Sequence, residues 1–446
     1  MKKSLLCLVV LVLFCGSAAW ASIITNPNQS ALYFRMLSRN ASTDLDAVYY
    51  NPAGLTKLAD GFHFGVHNQT IFQEKTVVNE FPFLTSDTYV GKVNIPIFPS
   101  AFFVYKNGPL ALSFGFGPNS GGGSAEFAHG LPSFEIPFSL VPIAVSTLGI
   151  PTTTYSLDMA FEGTSVYCGF QVNASFAFGD LVSAAAGMRY ISAQNTYEGY
   201  IRNVMINPFF PALGFIGQMI PAGQFFTAVG QPGLAALVAD KEVDVKQVGS
   251  AITPILSLNV TPVETLNFSL KYEFNTNLEL ENQTTKDDTG LYPDGTKGRN
   301  DIPAILSLGL QYEVLPKFRA HLSYNLYFDK NADWGGRQDL VDSNTFDLAL
   351  GLEYELASAV SLSAGVLRTQ FGLSEQYQTD FSHEISCTSL GFGGRLRIIP
   401  KLDLDLGVLY ILYGTAERSY TGVTGPYTES YKRSTLGFAV GFGYHL

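Results

Sequence analysis

Apolar and polar side chains alternate along this chain with a period of two residues. In residues 435–446, TLGFAVGFGYHL, every even-numbered side chain is apolar and every odd-numbered one is small or polar. The alternation recurs in residues 266–275, 318–329 and 346–355, where the second face also carries charged side chains. A period of two is that of a β-strand. The uncharged face is broad and aromatic in nearly every segment, as contact with lipid requires, whereas a soluble sandwich would need a second sheet to cover it.

Fourteen segments fit this pattern, and bacterial membrane barrels have an even number of strands. The segments span residues 61–73, 97–105, 109–117, 163–178, 181–202, 250–260, 264–283, 301–314, 317–330, 344–355, 359–371, 386–399, 402–417 and 431–446. Short turns such as Asn107-Gly108, Gly179-Asp180, Thr261-Pro262 and Pro400-Lys401 alternate with long connections. This asymmetry is typical of an outer-membrane barrel. The sequence therefore predicts an all-β fold, a transmembrane antiparallel β-barrel of about 14 strands.

The composition favours the same fold. Charged residues make up 15% of the chain and aromatic residues 13%, whereas ordinary soluble domains contain roughly 25% charged residues. Residues 203–239 carry no charge, but four prolines and several glycines interrupt them, so they do not form a lipid-exposed helix. A closed β-barrel is the remaining way to satisfy the backbone in lipid.

The N-terminus has the pattern of a secretory signal peptide over residues 1–21. A basic start and an apolar run precede Ala19-Trp20-Ala21, a small-x-small cleavage site. Lipidation of Cys15 is the alternative, which the large Phe14 before it disfavours. Removal of the two lysines in this segment takes the net charge from −11 to −13, so we expect no nucleic-acid partner. An exported barrel of this kind is predicted in the outer membrane of a Gram-negative bacterium.

Two cysteines remain after the signal peptide. The strand parity places Cys168 on the lipid face and Cys387 on the inner face. We therefore expect two unpaired, packed thiols rather than a disulfide.

Residues 22–60 contain no alternating segment before the first strand. Within them, Asn51-Pro52-Ala53-Gly54 forms a sharp corner. The ring of Pro52 fixes its own φ and favours an extended Asn51, and Gly54 permits a turn that most residues resist. Such a stretch is either a linker or a piece of backbone held in one shape, on the periplasmic side or inside the lumen.

This order of features resembles the FadL/TodX family of outer-membrane transporters for hydrophobic compounds. The resemblance rests on the segment ending in Asn51-Pro52-Ala53, on fourteen strands, on FGFGPNSGGGSAEF at residues 114–127, and on a long apolar loop after the fifth strand. It covers nearly the whole mature chain. There are two departures: residues 31–50 lack the family's small, glycine-rich run, and the chain ends in Leu446 rather than in an aromatic residue.

The resemblance implies that residues 22–60 form a hatch that plugs the lumen of a barrel spanning residues 61–446. It implies passive uptake of fatty acids or aromatic hydrocarbons without a cofactor. The ligand would lodge in an apolar cleft between extracellular loops, move to a pocket beside the hatch, and leave sideways through a gap in the wall. Phe34, Met36 and Leu37 would line the pocket on the hatch side.

Two predicted extracellular loops, residues 118–162 and 203–249, are strongly apolar. Exposed apolar patches of this density usually mark a binding surface, although the side chains can instead bury one another over the barrel mouth. A second uncharged stretch, Ile136 to Leu157, would form the opposite wall of the cleft. The candidate ligand-binding residues of the second loop are Phe209, Phe210, Leu213, Phe215, Ile216, Met219, Ile220, Phe225 and Phe226.

Arg202 precedes the second loop, where fatty-acid-binding relatives carry a basic residue that meets the acid group. A guanidinium pairs bidentately with a carboxylate, but a solvated charge at the base of a loop fits the position equally well. Arg189, Lys317 and Arg319 are further basic candidates with inward parity, although mutual pairing of lumen charges is the favoured interpretation. The inward carboxylates are Glu273, Glu353, Asp403 and Asp405.

Other functions have weaker signals. The chain lacks G-x-S-x-G, H-E-x-x-H and C-x-x-C motifs, which disfavours an enzyme. His63 and His67 share an inward parity, but four residues of strand separate them by about 13 Å, so no metal is expected. A general porin or a structural barrel is the more serious alternative. We expect a monomer in contact with outer-membrane lipid and lipopolysaccharide, and the sequence does not distinguish fatty acids from alkanes or monoaromatics.

Overall fold

The computed structural model describes residues 27–446, and within them fourteen long antiparallel strands pair in chain order. The ring closes because the first strand also pairs with the last, from His63 opposite His445 to Asn79 opposite Glu429. The strands are β1 Gly61–Asn79, β2 Thr88–Asn107, β3 Leu110–Phe127, β4 Tyr155–Ala177, β5 Val182–Ile206, β6 Lys241–Val263, β7 Leu266–Glu273, β8 Ile305–Leu315, β9 Phe318–Tyr327, β10 Thr345–Ala357, β11 Val360–Gln370, β12 Cys387–Ile399, β13 Leu402–Tyr413 and β14 Gly425–His445. The predicted barrel and its strand number are confirmed.

Shorter strands and helices lie in the long loops at one end of the barrel and inside its lumen. Strand Glu279–Asp287 continues β7 along β6, and Lys297–Arg299 pairs with it. Strand Ala416–Gly422 continues β13 along β14. The helices are α1 Ala31–Met36, α2 Ala47–Tyr50, α3 Pro132–Ser139, α4 Val141–Thr147, α5 Ala222–Ala228 and α6 Pro232–Leu237. No helix between residues 27 and 446 is long and apolar enough to cross a membrane.

The alternation separates the two faces of the wall as predicted. On β10, the large side chains Leu348, Leu350 and Leu352 point outward and are 48%, 44% and 38% exposed. Asp347 and Ala349, which have the opposite parity, point into the barrel and are almost fully buried. The outer face is therefore apolar and the inner face is polar or small, which is the arrangement that a surrounding bilayer stabilises.

The strands are longer than the alternation indicated at the end that carries the long loops. There, β3 runs to Phe127 and β4 begins at Tyr155, so the predicted loop 118–162 shrinks to residues 128–154. The predicted loop 203–249 shrinks in the same way to residues 207–240. The strands continue beyond the apolar band, where the alternation breaks down: residues 118–123 of β3 are proline, glycine and small polar residues, whereas Val204, Met205 and Ile206 of β5 are apolar in succession.

Two predictions at the short-turn end were wrong by a few residues. Thr261 and Pro262 lie inside β6, and the turn itself is formed by Glu264 and Thr265. Lys317, predicted to face the lumen, is exposed in the turn between β8 and β9 and has a φ of 70°. A bulge in the register of these two strands, between Glu313 and Leu315, breaks the parity there.

The cysteines follow the predicted parity. Cys168 is half-buried on β4 and Cys387 is buried on the inner face of β12, and both are free thiols. The predicted signal peptide, residues 1–21, and the first residues of the predicted hatch lie outside the described part of the chain.

Candidate functional site

Residues 27–60, called the hatch from here on, lie inside the barrel near its short-turn end. Ser30 caps α1, since its Oγ accepts the N–H of Tyr33 at 3.0 Å. The helix ends at Met36, and Leu37 caps it with a left-handed φ of 60°. All six residues of α1 are buried. A helix this short is held by its surroundings rather than by its own propensity.

Glycines on the inner wall let α1 approach the strands closely. A methyl group added to Gly365 would overlap the carbonyl oxygen of Met36, and one added to Gly437 would meet the ring of Phe34 at 2.6 Å. The wall therefore lacks side chains where the helix backbone rests. The glycines that contact residues 31–37 in this way are Gly351, Gly365, Gly391, Gly393, Gly407 and Gly437.

The predicted ligand residues of the hatch lie in this contact. Phe34 and Met36 are 0% exposed and Leu37 is 2% exposed. Their side chains pack against the glycine-lined wall on β10, β12, β13 and β14. That they line a ligand pocket stays a prediction, and it requires a movement of α1 away from the wall.

The corner at Asn51-Pro52-Ala53-Gly54 is fastened to the strands on the opposite side. The carbonyl oxygens of Pro52 and Ala53 each accept a serine hydroxyl at 2.8 Å, from Ser175 on β4 and from Ser183 on β5. The Asn51 side chain donates to Asn259 on β6 at 2.7 Å and to the carbonyl oxygen of Ser42 at 3.0 Å. A methyl group on Gly54 would overlap that same carbonyl. The four residues therefore form a buried, rigid corner.

Ion pairs bind the hatch to the wall. Arg35 Nη1 lies 2.6 Å from Glu353 on β10, and Arg35 Nε lies 3.2 Å from Asp405 on β13. Arg319 Nη2 reaches the other oxygen of Glu353 at 2.5 Å. Arg395 Nη1 reaches Asp44 of the hatch at 3.2 Å. The lumen charges predicted to pair with one another do so here.

A second charge cluster adjoins α2 and is not balanced. Arg189 on β5 and Lys271 on β7 both contact Glu273 at 2.5 Å. Their cationic groups lie 4.6 Å and 4.5 Å from the ring centroid of Tyr49. All three charged side chains are at most 5% exposed. Two cations therefore share one carboxylate, which leaves an excess positive charge beside the hatch.

The wall contains an unpaired seam between β2 and β3. Pairing stops after Lys92 opposite Glu126 and resumes at Ala101 opposite Phe116. Over the same stretch, β2 remains paired to β1 and β3 remains paired to β4. The gap is therefore confined to one side of each strand.

Prolines and glycines in the sequence account for the seam. Pro96 and Pro99 on β2 and Pro118 on β3 have no N–H to donate. The register of β3 against β4 shifts between Pro118 and Ser120 and again between Gly121 and Gly123, which turns the strand edge away from β2. The same irregularity overlaps the start of the predicted segment 97–105.

The start of the hatch spans the seam from the inside. Gln29 Nε2 donates to the carbonyl oxygen of Pro118 on β3 at 2.7 Å. The carbonyl oxygen of Gln29 accepts the hydroxyl of Ser100 on β2 at 2.6 Å. Across the seam, Ile95 packs so closely on Gly123 that an added methyl group would lie 2.7 Å from its side chain. Gln29 and Ile95 therefore close the gap.

At the long-loop end, the two apolar loops pack on each other. Phe138, Val141 and Val145 of α3 and α4 share one buried cluster with residues of the loop 207–240. The second uncharged stretch thus contacts the first, as the predicted opposite wall would. The buried candidates of the second loop are Phe215, Ile220, Phe225 and Phe226, each at most 8% exposed.

The other candidates of this loop stay exposed. They project in a segment, residues 208–219, that is called the tip from here on. In it, Phe209 is 49%, Leu213 is 46%, Ile216 is 70% and Met219 is 39% exposed, and Phe210 is half-buried. The loop therefore packs internally on one face, as the second alternative predicted, and leaves its other face exposed to solvent. Ligand binding by these residues stays a prediction.

Arg202 lies beside a groove of about 430 Å³ at the same end of the barrel. Its Nη2 lies 3.1 Å from Glu242, and its guanidinium lies over the ring of Tyr200, 4.5 Å from the centroid. The side chain is 45% exposed, and Val204, two residues on, belongs to the buried apolar cluster. Arg202 is accessible to an acid group, but its charge already has a partner. The groove is lined by Thr85, Ala128, His129, Leu157, Asp158, Met159, Tyr200, Arg202 and Asn203.

Sequence reasoning missed two features. The sequence shows prolines in residues 94–100 and a glycine run in residues 117–123. That these two stretches lie side by side follows only from the pairing of β2 with β3. His63 pairs with His445 across the barrel closure, Nδ1 to Nδ1 at 2.8 Å. No local sequence motif predicts this pair.

No family model and no curated protein sequence matches this chain. Solved structures do. The crystal structure of a Pseudomonas aeruginosa FadL homologue superimposes with a TM-score of 0.65 at 13% identity, over 96% of this chain and 100% of that one. The P. putida toluene transporter TodX gives 0.60 at 14%, covering 91% and 95%. The Ralstonia pickettii toluene transporter TbuX gives 0.56 at 14%, covering 90% and 94%. The chain therefore has the barrel fold of the FadL homologue and the toluene transporters.

Proposed function

We propose that this protein mediates passive uptake of hydrophobic small molecules, long-chain fatty acids first among them, across the outer membrane of a Gram-negative bacterium. In this proposal the long loops face the outside and the short turns face the periplasm. The barrel acts as a monomer in contact with membrane lipid and lipopolysaccharide.

The observation that carries the proposal is the seam between β2 and β3. An unpaired stretch in a barrel wall exposes backbone groups that cost several kcal/mol each in hydrocarbon. A purely structural barrel gains nothing from such a defect, and a porin, whose cargo passes along the axis, does not use one. A gap covered from inside by Gln29 and Ile95 suits a hydrophobic cargo that leaves the lumen sideways, into the bilayer.

The long-loop end provides the matching access route. The exposed side chains of the tip present apolar surface. The groove beside Arg202 has a largely polar lining and presents an accessible cation. From there, a ligand would pass to the hatch. The inward-facing charges and the buried corner at residues 51–54 fix the hatch in the lumen, so the axial route is blocked for water and ions.

The excess positive charge beside Tyr49 favours fatty acids over hydrocarbons. Arg189 and Lys271 share only Glu273, and a second carboxylate arriving with a ligand would complete the pairing. An aromatic hydrocarbon has no group that uses this charge. Monoaromatic hydrocarbons remain the alternative cargo, since two of the structural neighbours are toluene transporters by name.

The test is a binding titration on detergent-solubilised protein with a fluorescent fatty acid, competed with oleate, toluene, an alkane and a sugar. We expect saturable binding that oleate displaces best and the sugar does not displace. Arg202→Gln or Lys271→Gln should weaken binding of the acid about tenfold, the scale of one charge-assisted hydrogen bond. Lys297→Gln, which removes an exposed cation paired to Glu279, is the control. Displacement by toluene without any effect of the arginine and lysine changes would assign the cargo to hydrocarbons.

A conductance measurement distinguishes a plugged barrel that releases its cargo through the wall from a general porin. A plugged barrel in a planar bilayer should pass few ions, and deletion of residues 22–60 should open it. High conductance of the intact protein together with no saturable binding of any apolar probe would leave the porin as the function.

A further inference from the structure

The tip is built differently from the rest of the apolar loop. Residues 211–214 and 216–219 are all exposed, and only Phe215 between them is buried. Two short strands, Phe209–Phe210 and Phe215–Ile216, pair with each other and hold the tip as a small hairpin. Phe215 packs on Phe225 below, with ring centroids 5.6 Å apart. The tip is therefore a defined structure that projects from a packed base.

Several backbone N–H groups of the tip are hydrogen-bonded. Phe209 donates its N–H to Pro151 at 2.8 Å, Gly217 to Pro208 at 3.1 Å, and Gly214 to Pro211 at 3.0 Å. The N–H of Ile216 donates to the side chain of Gln218 at 2.8 Å. Pro208 and Pro211 have no N–H at all. The prolines and these bonds remove several of the backbone donors with which the tip could pair with a peptide strand.

The charge pattern excludes an electrostatic partner. No charged residue occurs between Arg202 and Asp240, so the tip offers nothing with which to read an acidic or basic surface. Its exposed side chains are instead Phe, Leu, Ile and Met, the types that bury favourably in acyl chains.

We propose that the tip inserts into lipid surfaces outside the cell, such as vesicles or micelles that carry the cargo, so that the protein takes its ligand from an aggregate rather than from water. This inference rests on the proposed function, because it requires the long-loop end to face outward and the cargo to be hydrophobic. It adds a docking step that ligand binding itself does not need.

The experiment measures docking without any ligand. The protein is placed in nanodiscs and mixed with dioleoylphosphatidylcholine vesicles free of fatty acid, and co-flotation is followed as lipid is added. We expect protein-loaded nanodiscs to float and empty ones not to. The double variant Leu213→Gln, Ile216→Gln should raise the lipid concentration for half-maximal flotation at least about tenfold, since two large side chains lose their burial. Val423→Gln, an equally exposed apolar residue in another loop, should leave flotation unchanged.

Added salt distinguishes insertion of the apolar tip into lipid from electrostatic adsorption to the vesicle surface. Because the tip is uncharged, flotation should survive about 1 M NaCl, in which exposed charges are screened within a few ångströms. Flotation no greater than that of empty nanodiscs, equal flotation of the double variant, or loss of flotation in salt would each overturn the inference. Binding of a monomeric fluorescent fatty acid by the wild type is measured in parallel. If that binding persists while docking fails, the proposed function stands and the docking step alone is wrong.

Discussion

The side-chain amide of Gln29 donates a hydrogen bond of 2.7 Å to the carbonyl oxygen of Pro118. The two residues are 89 positions apart, one at the start of the hatch and one on the free edge of β3. Together with the contact between Gln29 and Ser100 on β2, this bond ties the hatch to both sides of the seam. Opening the seam therefore requires the first residues of the hatch to move.

If the cargo leaves through the seam as proposed, Gln29→Ala should speed its release. The change removes the hydrogen bond to Pro118 and the side chain that fills the space beside Gly117. A lost neutral hydrogen bond is worth about 1 kcal/mol, which corresponds to a several-fold change in rate. The measurement is uptake of a fluorescent fatty acid into cells or proteoliposomes. Gln231→Ala, at an exposed glutamine of the long-loop end, is the control. An uptake rate for Gln29→Ala no higher than for this control would contradict the role of Gln29 in holding the seam closed.

Gly365→Leu should unseat the hatch. Even a methyl group at Gly365 overlaps the carbonyl oxygen of Met36, so a larger side chain forces α1 away from β11. Overpacking of this kind costs about 1–3 kcal/mol. We expect a higher single-channel conductance and a lower midpoint of unfolding in urea. Gly298→Ala, where an added methyl group meets nothing within 4 Å, should behave like the wild type, and unchanged conductance of Gly365→Leu would show that the fit is not tight.

Arg35→Ala should loosen the same helix electrostatically. Arg35 is fully buried and pairs with Glu353 and Asp405, so its removal leaves two carboxylates with fewer partners. Breaking a buried pair costs about 3–5 kcal/mol, and the lower end is expected because Arg319 and Arg395 remain. The free energy of unfolding in urea measures the loss. Lys297→Ala removes a solvent-exposed pair and should lower the free energy of unfolding far less than Arg35→Ala. Similar losses in the two variants would refute the structural role of Arg35.

Asp329 makes the loop between β9 and β10 sensitive to pH. It is 0% exposed, its Oδ2 accepts the N–H of Thr345 at 3.0 Å, and burial raises the pKa of its carboxyl to about 6. Because this pKa lies above the unfolded value of about 3.9, the folded state binds the proton more tightly. Stability is therefore gained as the pH falls through about 6 and lost as it rises through that value.

Asp329→Asn should accordingly remove part of the difference in melting temperature between about pH 5 and about pH 8. The wild type should melt higher at the acidic value, and the variant should narrow the gap mainly by melting higher at the alkaline one. Asp342→Asn, at an exposed position of the same loop, is the control. An undiminished gap in Asp329→Asn would mean that other groups set the pH dependence.

The sequence by itself predicted the barrel because the inward and outward faces of each strand can be recognised from that strand alone. Lipid on one side and a polar lumen on the other favour apolar and polar side chains at successive positions. The alternation of Asp347, Leu348 and their neighbours is therefore recognisable within a stretch of ten residues. The corner at Asn51-Pro52-Ala53-Gly54 was readable for a similar reason, since Pro52 and Gly54 restrict or free their own backbone. Loop and strand ends were less well predicted, because the alternation fades where the wall leaves the apolar band.

The tertiary structure alone decided which distant residues meet. Gln29 and Pro118, Arg35 and Glu353, and His63 and His445 are joined by the closure of the barrel and by the path of the hatch through it. Neither follows from the period of any segment. The same holds for the seam, since prolines in β2 and glycines in β3 open the wall only because these two strands are neighbours. The local pattern sets the face that each side chain takes, whereas the partner across the lumen is set by strand register, which depends on the whole ring at once.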